Sequence, residues 1–320
     1  MINGHGDDIY QYSGLLTNFS SNISQHADHT LLKAHLASRL DVIANYPEPE
    51  PWSLERRLAR PHGVPTDCVL VTNGATEAIY LLAQAYAHLP YRVVQPTFSE
   101  YADACRLFGL CHGDGGLLWL CNPNNPDGRI TDIDTLGHYA LLVVDQAYEL
   151  YTRHPLLSPR EAVERGNVAQ LHSMTKDYAV PGLRLGYVVA AEEIIGRLRA
   201  VLRPWSVNAL AIEAGHFLLD HPELRVSPDL GEARRLWQAL TAVDGISVEP
   251  TETTFMLCRS ERCKARWLKD RLARHHGLLI RDASNFIGLD DHCFRVASQL
   301  PQENDTLVKA IVETTAQNSQ

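Results

Sequence analysis

A serine, a lysine and an arginine stand close together near the middle of the sequence, at Ser173, Lys176 and Arg184. A lysine amine can form an imine with an aldehyde, and a hydroxyl beside a guanidinium is suited to one phosphate group. The Ser-x-x-Lys spacing also occurs in β-lactamases, but this sequence has no Lys-Thr-Gly segment to accompany it. A solvated lysine in a loop is the alternative for Lys176. The spacing favours an amine that can form an imine next to a site for one phosphate.

A second phosphate-binding signal lies upstream, where an apolar strand is predicted over Cys68–Thr72. The turn Asn73-Gly74-Ala75-Thr76 follows it, and a helix is predicted over Ala78–Ala87. A glycine turn that opens a helix presents unpaired backbone N–H groups and the positive end of the helix dipole. Most such turns only connect two elements, but next to Ser173 and Arg184 this one is a candidate phosphate cradle.

Apolar strands alternate with amphipathic helices over the first two thirds of the chain. Strands are predicted at 92–95, 117–121, 141–145, 168–171 and 186–190. This order predicts an α/β domain with a mostly parallel sheet covered on both faces, whose ligands bind at the carboxyl ends of the strands. Asn125, Asp145, Lys176 and the Gly74 turn all follow such ends.

Two charged residues lie on predicted strands. Asp145 ends an apolar strand, and Arg295 lies within Cys293–Ala297. A buried carboxylate needs a partner, and the nitrogen of a pyridine ring could be that partner. A helix N-cap or a structural ion pair are the alternatives for Asp145. A long cation such as Arg295 suits a strand only if it faces a cleft.

The motifs resemble those of fold-type I pyridoxal-phosphate enzymes, the aspartate-aminotransferase superfamily. The segment Val144-Asp145-Gln146-Ala147-Tyr148 is similar to the family's Asp-Glu-Ala-Tyr, and Asn-Pro-Asn-Asn-Pro-x-Gly at 122–128 matches a family loop. A plain β-turn is the alternative for that loop. The resemblance implies that Lys176 carries pyridoxal 5'-phosphate and that Asp145 keeps the pyridine nitrogen protonated. It assigns further cofactor contacts to Gly74, Ala75, Thr76, Tyr101 (stacked on the ring), Asn125 and Tyr148 (on the phenolic oxygen), Ser173, Arg184, and Tyr46 of a neighbouring subunit.

The resemblance extends over nearly the whole chain and narrows to the threonine-phosphate decarboxylase and histidinol-phosphate aminotransferase families. It implies that Arg295 holds the substrate carboxylate and that His5, Asn22 and Arg281 help to bind a small phosphorylated amino acid. It also implies a homodimer with a shared active site. Three functions stay open. The first is decarboxylation of L-threonine O-3-phosphate in cobalamin biosynthesis, and the second is transamination of histidinol phosphate or a similar amino acid. The third is a non-catalytic protein on the same scaffold.

Two departures from these relatives bear on the substrate and the sheet. Where relatives have His-Gly-Gly-Asn, this chain has His5-Gly6-Asp7-Asp8, which adds negative charge close to a phosphorylated substrate. The chain is also shorter than its relatives between Cys105 and Asn122, which suggests that part of a helix and a strand is missing.

Composition favours an ordinary globular enzyme. The chain has 320 residues, a net charge of −9 and scattered basic residues, which argue against nucleic acid or an anionic membrane as the partner. Seven cysteines without a Cys-x-x-Cys pair, a polar N-terminus and no long apolar run favour the cytoplasm. We expect no metal site. We expect an N-terminal segment (1–45) packed on the small domain, a large domain (46–222) with a seven-stranded-type sheet, and a small α+β domain (223–320).

Overall fold

The computed structural model describes residues 6–317, and a six-stranded sheet forms its centre. Five of its strands have the same direction, and the sixth, β7 (Gly186–Ala190), runs antiparallel to both strands beside it. In spatial order the strands are β2 (Val69–Thr72), β7 (Gly186–Ala190), β6 (Val168–Ser173), β5 (Leu141–Asp145), β4 (Leu117–Cys121) and β3 (Tyr91–Val93). The predicted α/β fold with a mostly parallel sheet is therefore confirmed.

The number of strands differs from the expected seven, because the seventh position is reduced to one bridge between Tyr91 and His112. The Tyr91 N–H donates to the Cys111 carbonyl over 2.9 Å, and the Gly113 N–H donates to the Tyr91 carbonyl over 3.0 Å. Only residues 114–116 then connect this bridge to β4. A crossover between parallel strands needs a dozen or more residues, so the short segment cannot form a full strand and return through a helix.

Helices cover both faces of the large sheet and bury most of its strand residues. Three apolar clusters join the sheet to the helices on its two faces. The helices of this region are α1 (Thr30–Ser38), α2 (Trp52–His62), α3 (Gly74–Ala85), α4 (Glu100–Leu107), α5 (Pro159–Arg165), α6 (Met174–Asp177), α7 (Glu192–Arg199) and α8 (Ala209–Asp220). Among the described residues, every helix is too short or too polar to span a lipid bilayer.

A four-stranded antiparallel sheet forms the C-terminal part of the chain. Its strands in spatial order are β11 (Arg281–Asp282), β12 (Cys293–Ala297), β9 (Phe255–Ser260) and β8 (Ile246–Val248). The helices α9 (Leu230–Thr241), α10 (Ala265–Arg271) and α11 (Pro301–Gln317) pack on it. The strand β1 (Thr17–Asn18) pairs in parallel with β10 (Leu278–Leu279) in a separate two-stranded sheet. The Ala297 N–H of β12 donates to the Phe19 carbonyl over 2.9 Å, so residues 17–19 lie beside the C-terminal sheet.

The residues that end or follow the parallel strands of the large sheet lie at one edge of it. Asp145 is the last residue of β5, and Ser173 is the last residue of β6, immediately before α6 with Lys176. Gly74 opens α3 directly after β2, and the Asn125 loop follows β4. The edge predicted to bind ligands therefore collects side chains from four separate connections.

Candidate active site

A cavity of about 280 Å³ lies at this edge, between the large sheet, the N-terminal segment and β12. Its wall contains one lysine, two arginines and two aspartates. The predicted residues that line it are Asn22, Ala75, Thr76, Tyr101, Asn125, Asp145, Tyr148, Ser173, Lys176, Arg184 and Arg295. The structure therefore brings together residues that are spread over 270 positions of the sequence, from Asn22 to Arg295.

Lys176 is half-buried in the cavity wall, with its Nζ 5.4 Å from the centre of the Tyr148 ring. Burial lowers the pKa of Lys176 from 10.5 to about 8, and the positive charge of Arg295 acts in the same direction. Asp7 and Asp145 oppose this shift, yet no carboxylate within residues 6–317 lies at ion-pair distance from Nζ. A lysine with this pKa has an appreciable neutral fraction near neutral pH, which a nucleophilic amine requires.

Asp145 is buried in the floor of the cavity. Its Oδ2 accepts a hydrogen bond of 2.7 Å from the Tyr101 hydroxyl, and its Oδ1 accepts one of 2.9 Å from the Ala147 N–H. Burial raises the pKa of Asp145, and these two hydrogen bonds oppose the rise. Since no lysine or arginine of the described chain forms an ion pair with it, the carboxylate suits a ligand that carries a positive charge.

Tyr101 is fully buried, and its ring stacks on Trp119 with centroids 5.3 Å apart and planes 16° from parallel. Phe98 contacts the same ring edge-on. Tyr101 therefore reaches the cavity as a hydroxyl bound to Asp145 and as part of an aromatic stack. Its predicted stacking on a cofactor ring stays a prediction.

The guanidinium of Arg184 packs against the first residue of α3. Gly74 has φ +75°, and a Cβ atom there would lie 2.7 Å from Nη2 of Arg184, so only glycine allows this approach. Arg184 donates to the Pro181 carbonyl over 3.3 Å and has no carboxylate partner among the described residues. Its charge therefore stays available at the point where the first N–H groups of α3 lack partners within the helix.

Hydroxyl groups complete this corner of the cavity. Ser173, Thr175 and Thr76 contribute to its wall, and the buried Oγ1 of Thr175 has no hydrogen-bond partner in the part of the chain that the structure describes. A helix N-terminus, a guanidinium and hydroxyls form a donor set that suits a phosphate dianion. The residues predicted to bind the cofactor phosphate therefore lie together.

Asn125 and Tyr148 lie on the opposite side of the floor. Oδ1 of Asn125 accepts a hydrogen bond from Nη1 of Arg295, while Tyr148 packs on Phe255 with centroids 4.8 Å apart. Burial raises the pKa of Tyr148 to about 12, so its hydroxyl stays protonated and can donate. Their predicted contacts with a phenolic oxygen of the cofactor stay predictions.

Arg295 and Arg281 face each other on neighbouring antiparallel strands, as register partners on β12 and β11. Arg295 donates to Asn125 and to the Ser20 carbonyl. Arg281 donates to the Asp282 carbonyl over 2.6 Å and to Oδ1 of Asn285 over 2.8 Å. Burial lowers the pKa of each arginine to about 10, and the charge of Arg295 contributes to the shift of Arg281, so both are cationic at neutral pH.

These two buried guanidinium groups have no carboxylate at ion-pair distance anywhere in residues 6–317. Arg295 lines the cavity, whereas Arg281 lies behind it, next to Gly6. A Cβ atom on Gly6 would lie 3.4 Å from Cδ of Arg281 and 3.5 Å from Nη2 of Arg295. Two uncompensated positive charges in one buried place suit a ligand with more than one negative group.

Three other predicted residues have different positions. Asn22 is buried in the cavity wall, and neither polar atom of its amide makes a hydrogen bond of ordinary geometry to the described residues. Tyr46 is 85% exposed, lies against Trp205 with centroids 5.3 Å apart and does not line the cavity, so its predicted role depends on a neighbouring subunit. His5 lies outside the described residues.

Several residues at the site were not singled out from the sequence, among them Thr175, Ser20, Trp119 and Phe255. Thr175 is adjacent to Lys176, and this position was a usable signal. Ser20 acts through its backbone carbonyl, which any residue type provides, and Trp119 and Phe255 are apolar residues on buried strands. The sequence carries no separate signal for these three.

The donor set fits pyridoxal 5'-phosphate. The Gly74–Arg184 corner accommodates a phosphate, the buried Asp145 lacks a cationic partner as a protonated pyridine nitrogen requires, and Lys176 has an amine of lowered pKa between them. These three features have no shared purpose without a ligand, because each leaves a buried or partly buried polar group uncompensated.

Comparisons with known proteins agree with this geometry. The profile of the family described as aminotransferase class I and II matches residues 111–311. The threonine-phosphate decarboxylase of Salmonella typhimurium is 31% identical over 92% of this chain and 90% of its own length. The histidinol-phosphate aminotransferase of Symbiobacterium thermophilum is 31% identical over 84% of this chain and 82% of its own length.

A solved structure shows the same relationship in three dimensions. The L-threonine-O-3-phosphate decarboxylase of Porphyromonas gingivalis superimposes with a TM-score of 0.88 and 35% identity, over 94% of this chain and all of that chain. The chain is an enzyme of the class I and II aminotransferase family, which depends on pyridoxal 5'-phosphate.

Proposed function

We propose that this enzyme decarboxylates L-threonine O-3-phosphate to (R)-1-aminopropan-2-yl phosphate. The Salmonella and Porphyromonas relatives carry the name of this activity, and the similarity extends over nine tenths of the chain. The observation that carries the proposal is the pair of buried arginines on β12 and β11. A substrate with a carboxylate and a phosphate supplies the two negative groups that this pair lacks.

Four charged residues of the cavity, Asp145, Arg295, Arg184 and Lys176, have distinct roles in the proposed reaction. The bound cofactor draws electrons from the bond that breaks at the substrate Cα. The Asp145 carboxylate would accept a hydrogen bond from the protonated pyridine N–H and so stabilise the positive charge there. Arg295 would orient the substrate carboxylate, Arg184 would anchor the cofactor phosphate, and the Lys176 amine would return a proton to Cα.

Transamination of histidinol phosphate or a similar amino acid is the alternative, and the Symbiobacterium relative supports it. Both reactions use the same cofactor contacts, so Lys176, Asp145 and Arg184 do not discriminate between them. The substrates differ at Cα, because histidinol phosphate has no carboxylate. If Arg295 serves a carboxylate, as its exposure to the cavity suggests, the decarboxylase is favoured.

We also propose that the enzyme is a homodimer in the cytoplasm, with a role in cobalamin biosynthesis. Tyr46 and Trp205 form an exposed aromatic pair outside the cavity, which suits a contact with a second copy. All seven cysteines are free thiols, which suits a reducing compartment. Sedimentation equilibrium of the holoenzyme tests the dimer, and a monomer at micromolar concentration would contradict it.

Product analysis tests the proposed reaction. Holoenzyme is incubated with L-threonine O-3-phosphate labelled with ¹³C in the carboxyl group, and Lys176→Ala serves as the inactive control. A decarboxylase releases labelled CO₂ and the amino-alcohol phosphate over many turnovers. Retention of the label in a keto acid, with conversion of the cofactor to its amine form, would show transamination instead.

A further inference from the structure

Among the described residues of the cavity wall, Asp7 carries a charge that has no ion-pair partner and no role toward the cofactor. Its side chain is exposed and lies in the wall together with Lys176, Arg184 and Arg295. It follows Gly6, where a Cβ atom would lie 3.4 Å from Cδ of Arg281 and 3.5 Å from Nη2 of Arg295, so this segment passes next to the two buried arginines.

The backbone of Asp7 is held in an uncommon conformation. Its φ is +64°, in the left-handed region where residues other than glycine are strained. Its N–H donates to Oγ of Ser20 over 3.0 Å, and its Oδ1 accepts from Nδ2 of Asn18 over 2.6 Å. Both contacts fix the carboxylate against the N-terminal segment. Strain that is held in place at a ligand cavity points to a role for the side chain.

Positively charged residues from β12, β11 and α6 lie around Asp7. Arg295 on β12 and Arg281 on β11 lie below Gly6, and Lys176 on α6 is close enough for Asp7 to raise its pKa. Asn18 and Ser20 are neutral, and the adjacent Asp8 is buried in an ion pair with Lys269. Within residues 6–317 no cation lies at ion-pair distance from the Asp7 carboxylate.

The proposed function assigns most of these charges to other groups, and the inference rests on that assignment. Arg184 is used by the cofactor phosphate, Asp145 by the pyridine nitrogen and Lys176 by the cofactor itself. Arg295 and Asp7 then face the substrate. A carboxylate here repels a dianion but accepts a hydrogen bond from an O–H group.

We propose that Asp7 selects the distal group of the substrate by accepting a hydrogen bond from an O–H there. A phosphate ester satisfies this requirement as its monoanion, which keeps one O–H, and a free hydroxyl satisfies it as well. The phosphate dianion has no proton to give, and Asp7 therefore disfavours it. Because the second pKa of a phosphate monoester is about 6, the preference changes across physiological pH.

The predicted preference for the phosphate monoanion is tested by the dissociation constants of ligands bound to the holoenzyme. L-Threonine O-3-phosphate and L-threonine are titrated from pH 5.5 to 8 while the cofactor absorbance is followed, in wild type and in Asp7→Asn. The ratio of the two constants cancels the titration of the substrate amine and of the cofactor. Asparagine keeps the left-handed conformation and the side-chain shape while it removes the charge.

In wild type the ratio should shift about tenfold against the phosphate ester between pH 5.5 and 8, whereas in Asp7→Asn it should stay within about twofold. At pH 8 the variant should bind the phosphate ester about tenfold more tightly than wild type. An identical pH dependence in the two proteins would overturn the proposal, whatever product the enzyme forms.

A second pair of ligands tests whether Asp7 accepts a hydrogen bond from a free hydroxyl. It also separates the role of Asp7 from the proposed substrate. L-Threonine and L-2-aminobutyrate differ by the hydroxyl alone, and Asp7→Gly removes the acceptor without backbone strain. Wild type should prefer threonine by about tenfold, and Asp7→Gly should lose this preference. If the phosphate ester bound neither protein, the proposed substrate would fail, and loss of the threonine preference would still support Asp7. Equal preferences in wild type and Asp7→Gly would overturn its role.

Discussion

The Tyr101 hydroxyl donates a hydrogen bond of 2.7 Å to Oδ2 of Asp145 in the floor of the cavity. Tyr101 comes from α4 and Asp145 from the end of β5, so the contact joins two sides of the site. It opposes the rise in the pKa of Asp145 that burial causes. Tyr101 therefore helps to keep Asp145 ionised, which is the form that binds a protonated pyridine nitrogen.

Tyr101→Phe removes this donor while it keeps the aromatic stack on Trp119. The pKa of Asp145 should rise, so the acid limb of the kcat profile should move to higher pH and kcat near neutral pH should fall about tenfold. Tyr80→Phe is the matched control, because it removes a hydrogen bond of 2.7 Å to Glu100 outside the cavity wall. Indistinguishable pH profiles for the two variants would contradict the role of Tyr101.

Gly74→Ala should weaken binding of the cofactor. The new Cβ atom would lie 2.7 Å from Nη2 of Arg184, and alanine at φ +75° is strained by about 1–2 kcal/mol. We expect at least a tenfold increase in the cofactor dissociation constant, measured by fluorescence titration of the apoenzyme. Gly196→Ala on α7 is the control, because a Cβ atom there meets nothing within 4 Å. An unchanged cofactor dissociation constant in Gly74→Ala would contradict the assignment of this turn as the binding site of the cofactor phosphate.

The lowered pKa of Lys176 predicts how cofactor incorporation depends on pH. Only the neutral amine attacks an aldehyde, and its fraction grows as the pH rises through the pKa of about 8. The rate constant for incorporation into apoenzyme, followed by stopped-flow absorbance, should therefore increase up to about pH 8 and then level off. A rate that continued to rise towards pH 10, as for an exposed lysine, would show that Lys176 is not desolvated.

Arg281→Gln should discriminate between phosphorylated and unphosphorylated substrates. Loss of a charged contact to a buried anion costs ~2–5 kcal/mol, so kcat/KM for L-threonine O-3-phosphate should fall by tens-fold or more. The value for L-threonine should stay nearly constant. Arg259→Gln, which removes an exposed pair with Asp290 on the same sheet, is the control. Equal losses on both substrates would assign Arg281 to the fold or to the carboxylate.

Much of the site follows from the alternation of strands and helices in the sequence. The positions of Asp145, Lys176 and the Gly74 turn at one edge follow because parallel strands end at the same edge. The Arg281–Arg295 pairing could not be derived, because register in an antiparallel sheet depends on the loop between the strands. The adjacent short strands β10 and β11 also pair with different partners, β1 and β12.

Contacts between elements that are distant in the sequence could not be predicted either. The Tyr101–Asp145 hydrogen bond depends on how α4 packs, and the resemblance instead assigned Tyr101 to ring stacking. The loss of the seventh strand was partly visible, because the short segment after Cys105 indicated a missing element. The remaining bridge at His112 depends on backbone hydrogen bonds, which residue types do not encode.

The covalent attachment of the cofactor to Lys176 is the central claim, and reductive trapping tests it most directly. Holoenzyme is treated with borohydride, digested and analysed by mass spectrometry, with Lys176→Ala as the control. We predict that the reduced phosphopyridoxyl group is found on the peptide that contains Lys176, with loss of the absorbance band and of activity. A stable adduct on another lysine such as Lys269, or full turnover by Lys176→Ala, would contradict the account.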